Sequence, residues 1–280
     1  MKGADVVVED RVKLGDLQTM KRAGRKIVGV VAWDYQMARV VDRAGVDLVS
    51  VGDTVGANLW GQPNPLEITM DEMLVVCRAV RRGVRHALLS CDFPFGPVQE
   101  GTKSAVRAAI RFVKDAGVDM VKLDAAAEHL DAVEAVTRAG IPVFAQFGIT
   151  PQTSLKYGVS YSATPGAGDT VPDELLDEMV GEAKRLEGAG AVLLNFTNSG
   201  PVVGPAVAQS VSIPVVGGFG GGPWLDGRVR MATAAIGYSA DGLDNPPDTY
   251  ANVAQLAFDA IAAYANDVRS ARQIVGGIGR

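Results

Sequence analysis

One phrase recurs along the chain: an amphipathic stretch, a small-residue turn, then a short run of Val, Leu and Ile. AGVDLVSVGD (44–53), AGVDMVKLDA (116–125), AGIPVFAQFG (139–148) and GAGAVLLNF (188–196) are four copies. In each, a glycine ends a helix at little steric cost and the following residues enter a strand. The strand residues do not alternate strictly between apolar and polar, as expected of strands covered on both faces.

KIVGVVAWD (26–34), HALLSCDFPF (86–95), IPVVGGFGGG (213–222) and TAAIGYS (233–239) bring the candidate strands to eight. Helical patterns fall between them, for example over 70–83, 104–117 and 174–190. Strands and helices in alternation imply a parallel sheet, and eight units imply an α/β fold of the (β/α)8 TIM-barrel kind. A doubly wound open sheet is the alternative. With 280 residues and no composition break, the reading is one barrel domain over 1–280, with an amphipathic helical tail at about 249–268. That tail is expected either to close the barrel or to pack on a neighbouring subunit.

Composition narrows the classes of function. Basic residues number 27 and acidic residues 32, interspersed, so nucleic acid and anionic membrane are not expected partners. Two cysteines, Cys77 and Cys91, form no CxxC and imply a reducing compartment. The N-terminal MKGADVVVEDRVKL lacks the pattern of a signal peptide, and no apolar run reaches membrane-spanning length. A soluble, cytoplasmic protein acting on a small molecule is the expectation.

In a (β/α)8 barrel the site lies at the C-terminal ends of the strands. Reading those ends in order gives Asp34, then Asp53 with Thr54, Asp92, Lys122 with Asp124, Gln146, Asn195 and finally GGFGGG. Three carboxylates from neighbouring strands, Asp53, Asp92 and Asp124, would repel one another unless a cation sat among them. Hard oxygen ligands suit Mg²⁺, whereas a set without His or Cys does not suit zinc. Lys122 and Asp124 share a strand face, so Lys122 would stand beside the acids as a charged group; a Schiff-base role is the alternative. Cys91 should face away from Asp92 as a core residue. His86 and His129 fall where structural roles are expected. The glycine-rich segment after strand seven is a candidate phosphate loop.

Several of these segments together resemble a known family. WDYQMARVVDRAGVDLVSVGDT (33–54), RAVRRGVRHALLSCDFPF (78–95), DAGVDMVKLDA (115–125), AGIPVFAQFGITPQ (139–152) and SIPVVGGFGGGPWLDGR (212–228) look like the ketopantoate hydroxymethyltransferases. These are the 3-methyl-2-oxobutanoate hydroxymethyltransferases of pantothenate biosynthesis, part of the barrel group that includes phosphoenolpyruvate mutase and isocitrate lyase. The resemblance implies Mg²⁺ on Asp53 and Asp92, with Asp124 where the family has a Glu that contributes to the metal site. It implies substrate contacts from Thr54, in place of a Ser, and from Lys122. It also implies a one-carbon unit from methylenetetrahydrofolate and a homo-oligomer.

Two positions depart from the family pattern. Asn195 stands where the family has the Glu that removes a proton, and Gln146 replaces its His. An amide donates and accepts hydrogen bonds but takes no proton near neutrality. The expectation is therefore a metal-dependent transferase, aldolase or lyase that forms or breaks a C–C bond on a 2-oxo acid. Asn195 and Gln146 would bind substrate, and any proton would go to metal-bound hydroxide, to an acid such as Asp34 or Glu100, or to the substrate itself. The alternatives are a phosphoenolpyruvate mutase-like lyase or mutase and a catalytically inactive ligand- or metal-binding paralogue.

Overall fold

The repeats assemble as eight parallel strands in a closed barrel, paired in sequence order from β1 to β8. The computed structural model describes residues 11–148, 150, 152, 170–218, 222–244, 249–272 and 275. The strands are β1 (Ile27–Val31), β2 (Leu48–Val51), β3 (Leu88–Asp92), β4 (Met120–Leu123), β5 (Val143–Gly148), β6 (Leu193–Thr197), β7 (Val215–Gly217) and β8 (Gly227–Met231). The helices of the first compact unit, which ends at Arg230, are α1 (Leu14–Arg22), α2 (Tyr35–Arg43), α3 (Val55–Leu59), α4 (Met70–Gly83), α5 (Thr102–Ala116), α6 (Leu130–Arg138), α7 (Leu176–Gly188) and α8 (Val203–Ser210).

Local chemistry accounts for the boundaries. Helix α4 begins at a capping box, in which Thr69 Oγ1 accepts from Glu72 N and Glu72 Oε2 accepts from Thr69 N at 2.8 Å. The turn glycines of the recurring phrase, Gly45, Gly117, Gly140 and Gly190, all adopt positive φ between 68° and 96°. A Cβ would be strained there, so the repeat needs glycine at that position.

The acids of that phrase have a second task. Asp47, just before β2, accepts the Val28 N–H of β1. Asp119, just before β4, accepts Leu89 N–H of β3, and Asp226, just before β8, accepts Val215 N–H of β7. Each is paired with a cation: Arg25, Arg81 and Lys21 respectively. Carboxylates thus cap strand starts at the end of the barrel opposite the polar mouth.

One residue from each strand fills the bottom of the barrel: Ile27, Leu48, Leu88, Met120, Phe144, Leu193, Val216 and Val229. Leu17 and Met20 of α1 complete this core. The seam between β8 and β1 is tight. A Cβ on Gly227 would collide with the Ile27 carbonyl, and one on Gly29 would meet Val229 Cγ2 at 2.7 Å.

The structure corrects the position of the eighth strand. TAAIGYS was expected to supply it, but 232–236 form helix α9 (Ala232–Ile236), and GRVRM ahead of it is β8. In the second compact unit, from Met231, α9 ends at Gly237 in the left-handed region. Helix α10 runs Val253–Arg269 over the expected amphipathic tail, with Asn252 accepting from Gln255 N–H as its cap. Among the described residues no helix is long and apolar enough to cross a membrane.

Candidate active site

Side chains alternate between the two faces of a strand, so each inward apolar residue at the barrel bottom fixes which residue lies above it. Two residues beyond Leu88, Met120, Phe144 and Leu193 come Ser90, Lys122, Gln146 and Asn195. Two further on come Asp92, Asp124 and Thr197. All seven are buried. The interior therefore changes from hydrocarbon to polar within one strand length, at the C-terminal end.

The acids and Lys122 form a connected network. Lys122 Nζ donates to Asp92 Oδ2 at 2.6 Å, across a β3–β4 pair in direct register. Asp92 Oδ1 accepts from Ser50 Oγ at 3.2 Å, and Ser50 in turn accepts from Ser90 at 2.8 Å. Gln152 Nε2 donates to Asp53 Oδ2 at 2.8 Å and to the Phe93 carbonyl at 3.0 Å. The Gln152 N–H reaches Asp124 Oδ2 at 3.1 Å, so one residue ties two of the three carboxylates together. Asp124 Oδ1 accepts the Ala125 N–H at 2.6 Å, where Ala125 takes a φ of 51° at the strand exit.

Their electrostatics is that of negative charge crowded out of water. Burial, then the charges of Asp92 and Asp124, raise the Asp53 carboxyl from 3.8 to about 8, against the opposing pull of Lys122 and Gln152. Burial also raises Asp124, only partly offset by its hydrogen bonds and by Lys122. For Lys122 burial works downward, but the charge of Asp92, followed by Asp53, outweighs it and holds the ammonium above its usual range. Lys122 is thus a fixed cation, with its Nζ 5.8 Å from the centre of the Phe144 ring. A neutral amine for Schiff-base chemistry is not what this surrounding provides.

A hard divalent cation fits this donor set. Asp53 and Asp92 are both buried, lie at the ends of neighbouring strands and outnumber Lys122, the one cation bonded to them among the described residues. Among the described residues no three or more His, Cys, Asp or Glu side chains form a ready cage. Two carboxylates completed by water and substrate are the usual provision for Mg²⁺. Asp124 has both oxygens engaged by backbone N–H groups and suits an outer, water-linked place.

The remaining candidates separate clearly. Thr54 is buried at the start of α3, and its hydroxyl makes no capping hydrogen bond. Asn195 and Gln146 lie side by side in register on β6 and β5, with Asn195 Nδ2 donating to Gln146 Oε1 at 3.0 Å. Cys91 faces outward, as expected, where burial and then the Cys77 thiol push it well above the usual thiol range. His86 contributes its backbone N–H to Asp42, and His129 marks the start of α6.

The two acids named as other proton acceptors are engaged locally. Asp34 is an exposed cap that accepts the Met37 N–H, and Glu100 is an exposed acceptor for Ser104. The centre of the GGFGGG segment, residues 219–221, lies outside the described residues. Sequence reasoning missed Gln152, Ser50 and Ser90. Gln152 stood within the quoted GITPQ motif, and Ser90 has the same strand parity as Asp92.

Comparison with known proteins places the chain in a family and a fold. The family model described as ketopantoate hydroxymethyltransferase matches residues 11–273. The 3-methyl-2-oxobutanoate hydroxymethyltransferase of Cyanothece sp. (strain PCC 7425 / ATCC 29141) is 38% identical over 262 residues, covering 92% of this chain and 97% of that protein. That of Pyrococcus abyssi (strain GE5 / Orsay) is 36% identical, covering 88% and 84%. A phosphonopyruvate hydrolase solved with oxalate and Mg²⁺ shares the fold at a TM-score of 0.57 and 16% identity, over 93% of this chain and 88% of that one. A 2,3-dimethylmalate lyase does so at 0.57 and 15%, over 82% and 84%. By the extent of the family match and the identity to these relatives, the chain belongs to the ketopantoate hydroxymethyltransferase family.

Proposed function

We propose that this enzyme makes or breaks a C–C bond beside the keto group of a 2-oxo acid, with a divalent cation held by Asp53 and Asp92. One observation carries the reading: two buried carboxyl groups and one buried ammonium meet at the barrel mouth, so that the acids outnumber the cation. Asp53 and Asp92 would hold the Mg²⁺, which would supply Lewis-acid stabilisation of negative charge on the substrate. Asp92 holds Lys122 at 2.6 Å, so its ammonium stays charged and positioned to stabilise an anionic oxygen as charge develops. Thr54 offers a buried hydroxyl to the substrate carboxylate. Gln152 fixes the rotamer of Asp53, and Asp124 in turn orients Gln152. Low exposure around these groups excludes water and strengthens each of these interactions.

The amide pair Asn195–Gln146 favours a second emphasis within the same class. With no acid or base at either position to take a proton from the β-carbon, an enolate formed by C–C cleavage suits this wall better: the bonding electrons stay with the 2-oxo acid, the hydroxymethyl carbon of ketopantoate leaves as formaldehyde, and its hydroxyl proton passes to water. The test is an NMR assay of ketopantoate with Mg²⁺, read as release of 3-methyl-2-oxobutanoate, together with a panel of other 2-oxo acids, a phosphonate and dicarboxylates among them. Turnover of a 2-oxo acid that disappears in Asp92→Asn is expected. Turnover of the phosphonate alone would move the reading to the mutase-like alternative. Metal-dependent binding without turnover of any compound would leave a binding protein.

A further inference from the structure

The polarity of the amide pair follows from one backbone group. The Gly218 N–H, just past β7, lies 2.8 Å from the Asn195 side chain, and a backbone N–H only donates. The Asn195 atom facing it is therefore the oxygen. Its NH₂ is turned toward β5 and donates to Gln146, whose facing atom must then be Oε1. Gln146 is left with its NH₂ directed away from the pair. Among the described residues nothing accepts from that nitrogen, nor is it one of the fully enclosed unpartnered atoms. Gly218 makes the arrangement possible, because a Cβ there would sit 3.1 Å from Asn195 Oδ1 and press the amide away.

We infer that Gly218 and Asn195 lock Gln146 as a hydrogen-bond donor to an acceptor oxygen of the substrate, a carboxylate or enolate oxygen of a 2-oxo acid. Gln146 touches the substrate; Asn195 is a positioning residue whose own oxygen is taken by Gly218. The wall on β5 and β6 therefore recognises an anionic oxygen and offers no site for a proton. This inference rests on the 2-oxo acid reading above.

Asn195→Asp tests it with almost no change of shape. One introduced oxygen still accepts from Gly218, but the other can only accept, so Gln146 must turn its amide over and present Oε1 to the substrate. The full chain would be titrated with 3-methyl-2-oxobutanoate in the presence of Mg²⁺ by calorimetry, alongside Gln146→Met and the double variant. Asn195→Asp and Gln146→Met are each expected to weaken binding at least ten-fold. The loss from Asn195→Asp should be at least five-fold smaller when Gln146 is already Met, which separates inverted polarity from simple charge repulsion. An equal loss in both backgrounds, or full affinity in Gln146→Met, overturns the inference; the latter result suffices even if Asn195→Asp does not fold. Absence of Mg²⁺-dependent wild-type binding of 3-methyl-2-oxobutanoate and of every 2-oxo acid in the panel overturns this inference and the 2-oxo acid reading together, whereas wild-type binding indifferent to Gln146 overturns only this one.

Discussion

Replacing Asp53 by Asn tests the charge excess at the barrel mouth without reference to catalysis. The folded state raises this carboxyl from 3.8 to about 8, so between those values the folded protein retains a proton that the unfolded chain has released. Stability is then complete below about pH 4 and is lost as pH rises toward 8. Over the three units from pH 5 to pH 8 the loss is on the order of 4 kcal/mol, at about 1.4 kcal/mol per unit. Asn lacks the titration and still accepts from Gln152 Nε2 through its own oxygen. For a chain of 280 residues the unfolding entropy is about 0.6 kcal/mol/K, so 4 kcal/mol corresponds to about 7 °C. Thermal melts in EDTA at pH 5 and pH 8 should therefore show wild type losing about 7 °C more than Asp53→Asn. With Mg²⁺ at pH 8 the wild type should recover most of that difference and the variant should gain little. Parallel pH profiles for the two proteins in EDTA would refute the electrostatic account. Equal stabilisation of both by Mg²⁺ would remove Asp53 from the proposed metal site.

Three further outcomes are expected. Lys122→Met leaves Asp92 buried without its cation; urea unfolding in EDTA should show a loss of about 3–5 kcal/mol, part of it restored by Mg²⁺. Asp42→Ala strands three backbone N–H groups, those of Arg85, His86 and Ala87, and should cost about 3 kcal/mol or more by denaturant midpoint while leaving Mg²⁺ affinity unchanged. Gly227→Ala forces a methyl group onto the Ile27 carbonyl at the β8–β1 seam; a loss of about 3 kcal/mol or outright failure to fold is expected, visible in the circular-dichroism melt.

The barrel was legible because its repeat carries two independent signals, a glycine that must take positive φ and an apolar run buried on both faces. The eighth strand broke the second rule. In GRVRM, Gly227 and Val229 are buried while Arg228 is exposed, so the segment reads as a half-covered strand and not a continuous apolar run. TAAIGYS looked more strand-like by composition, yet its Ala residues and Gly237 suit a short helix ending in a left-handed cap. Counting positions along β3 to β6 was enough to put Asp92, Lys122, Gln146 and Asn195 on one side. What sequence spacing does not encode is which acid does which work. Asp47, Asp119 and Asp226 look no different from Asp53 in composition, but they sit at strand starts and serve backbone N–H groups. Gln152 escaped notice because its contacts with Asp53 and Phe93 are 99 and 59 residues away in the chain.

The division of labour inside the barrel follows from the same geometry. At the ends of β2 to β4 the charged groups gather, and Asp53, Asp92, Asp124 and Lys122 tolerate burial only because they balance one another and a cation can complete the balance. On β5 and β6 the paired polar groups are the neutral amides of Gln146 and Asn195, bonded to each other and to the Gly218 N–H, and they need no counter-charge. One wall can thus bring positive charge to an anionic substrate, while the opposite wall supplies directed donors without a titrating group. Restoring an acid to the amide wall adds a further buried carboxylate where the partners of Asn195 are an amide and a backbone N–H and not a cation. Asn195→Glu should therefore lower stability at neutral pH even where it gains the capacity to accept a proton. Proton exchange at the β-carbon of 3-methyl-2-oxobutanoate in D₂O, followed by NMR, should be absent in wild type and present in Asn195→Glu. Exchange by the wild type would mean that a base acts from outside this pair, and the neutral character of the wall would then no longer bear on how the enolate is made.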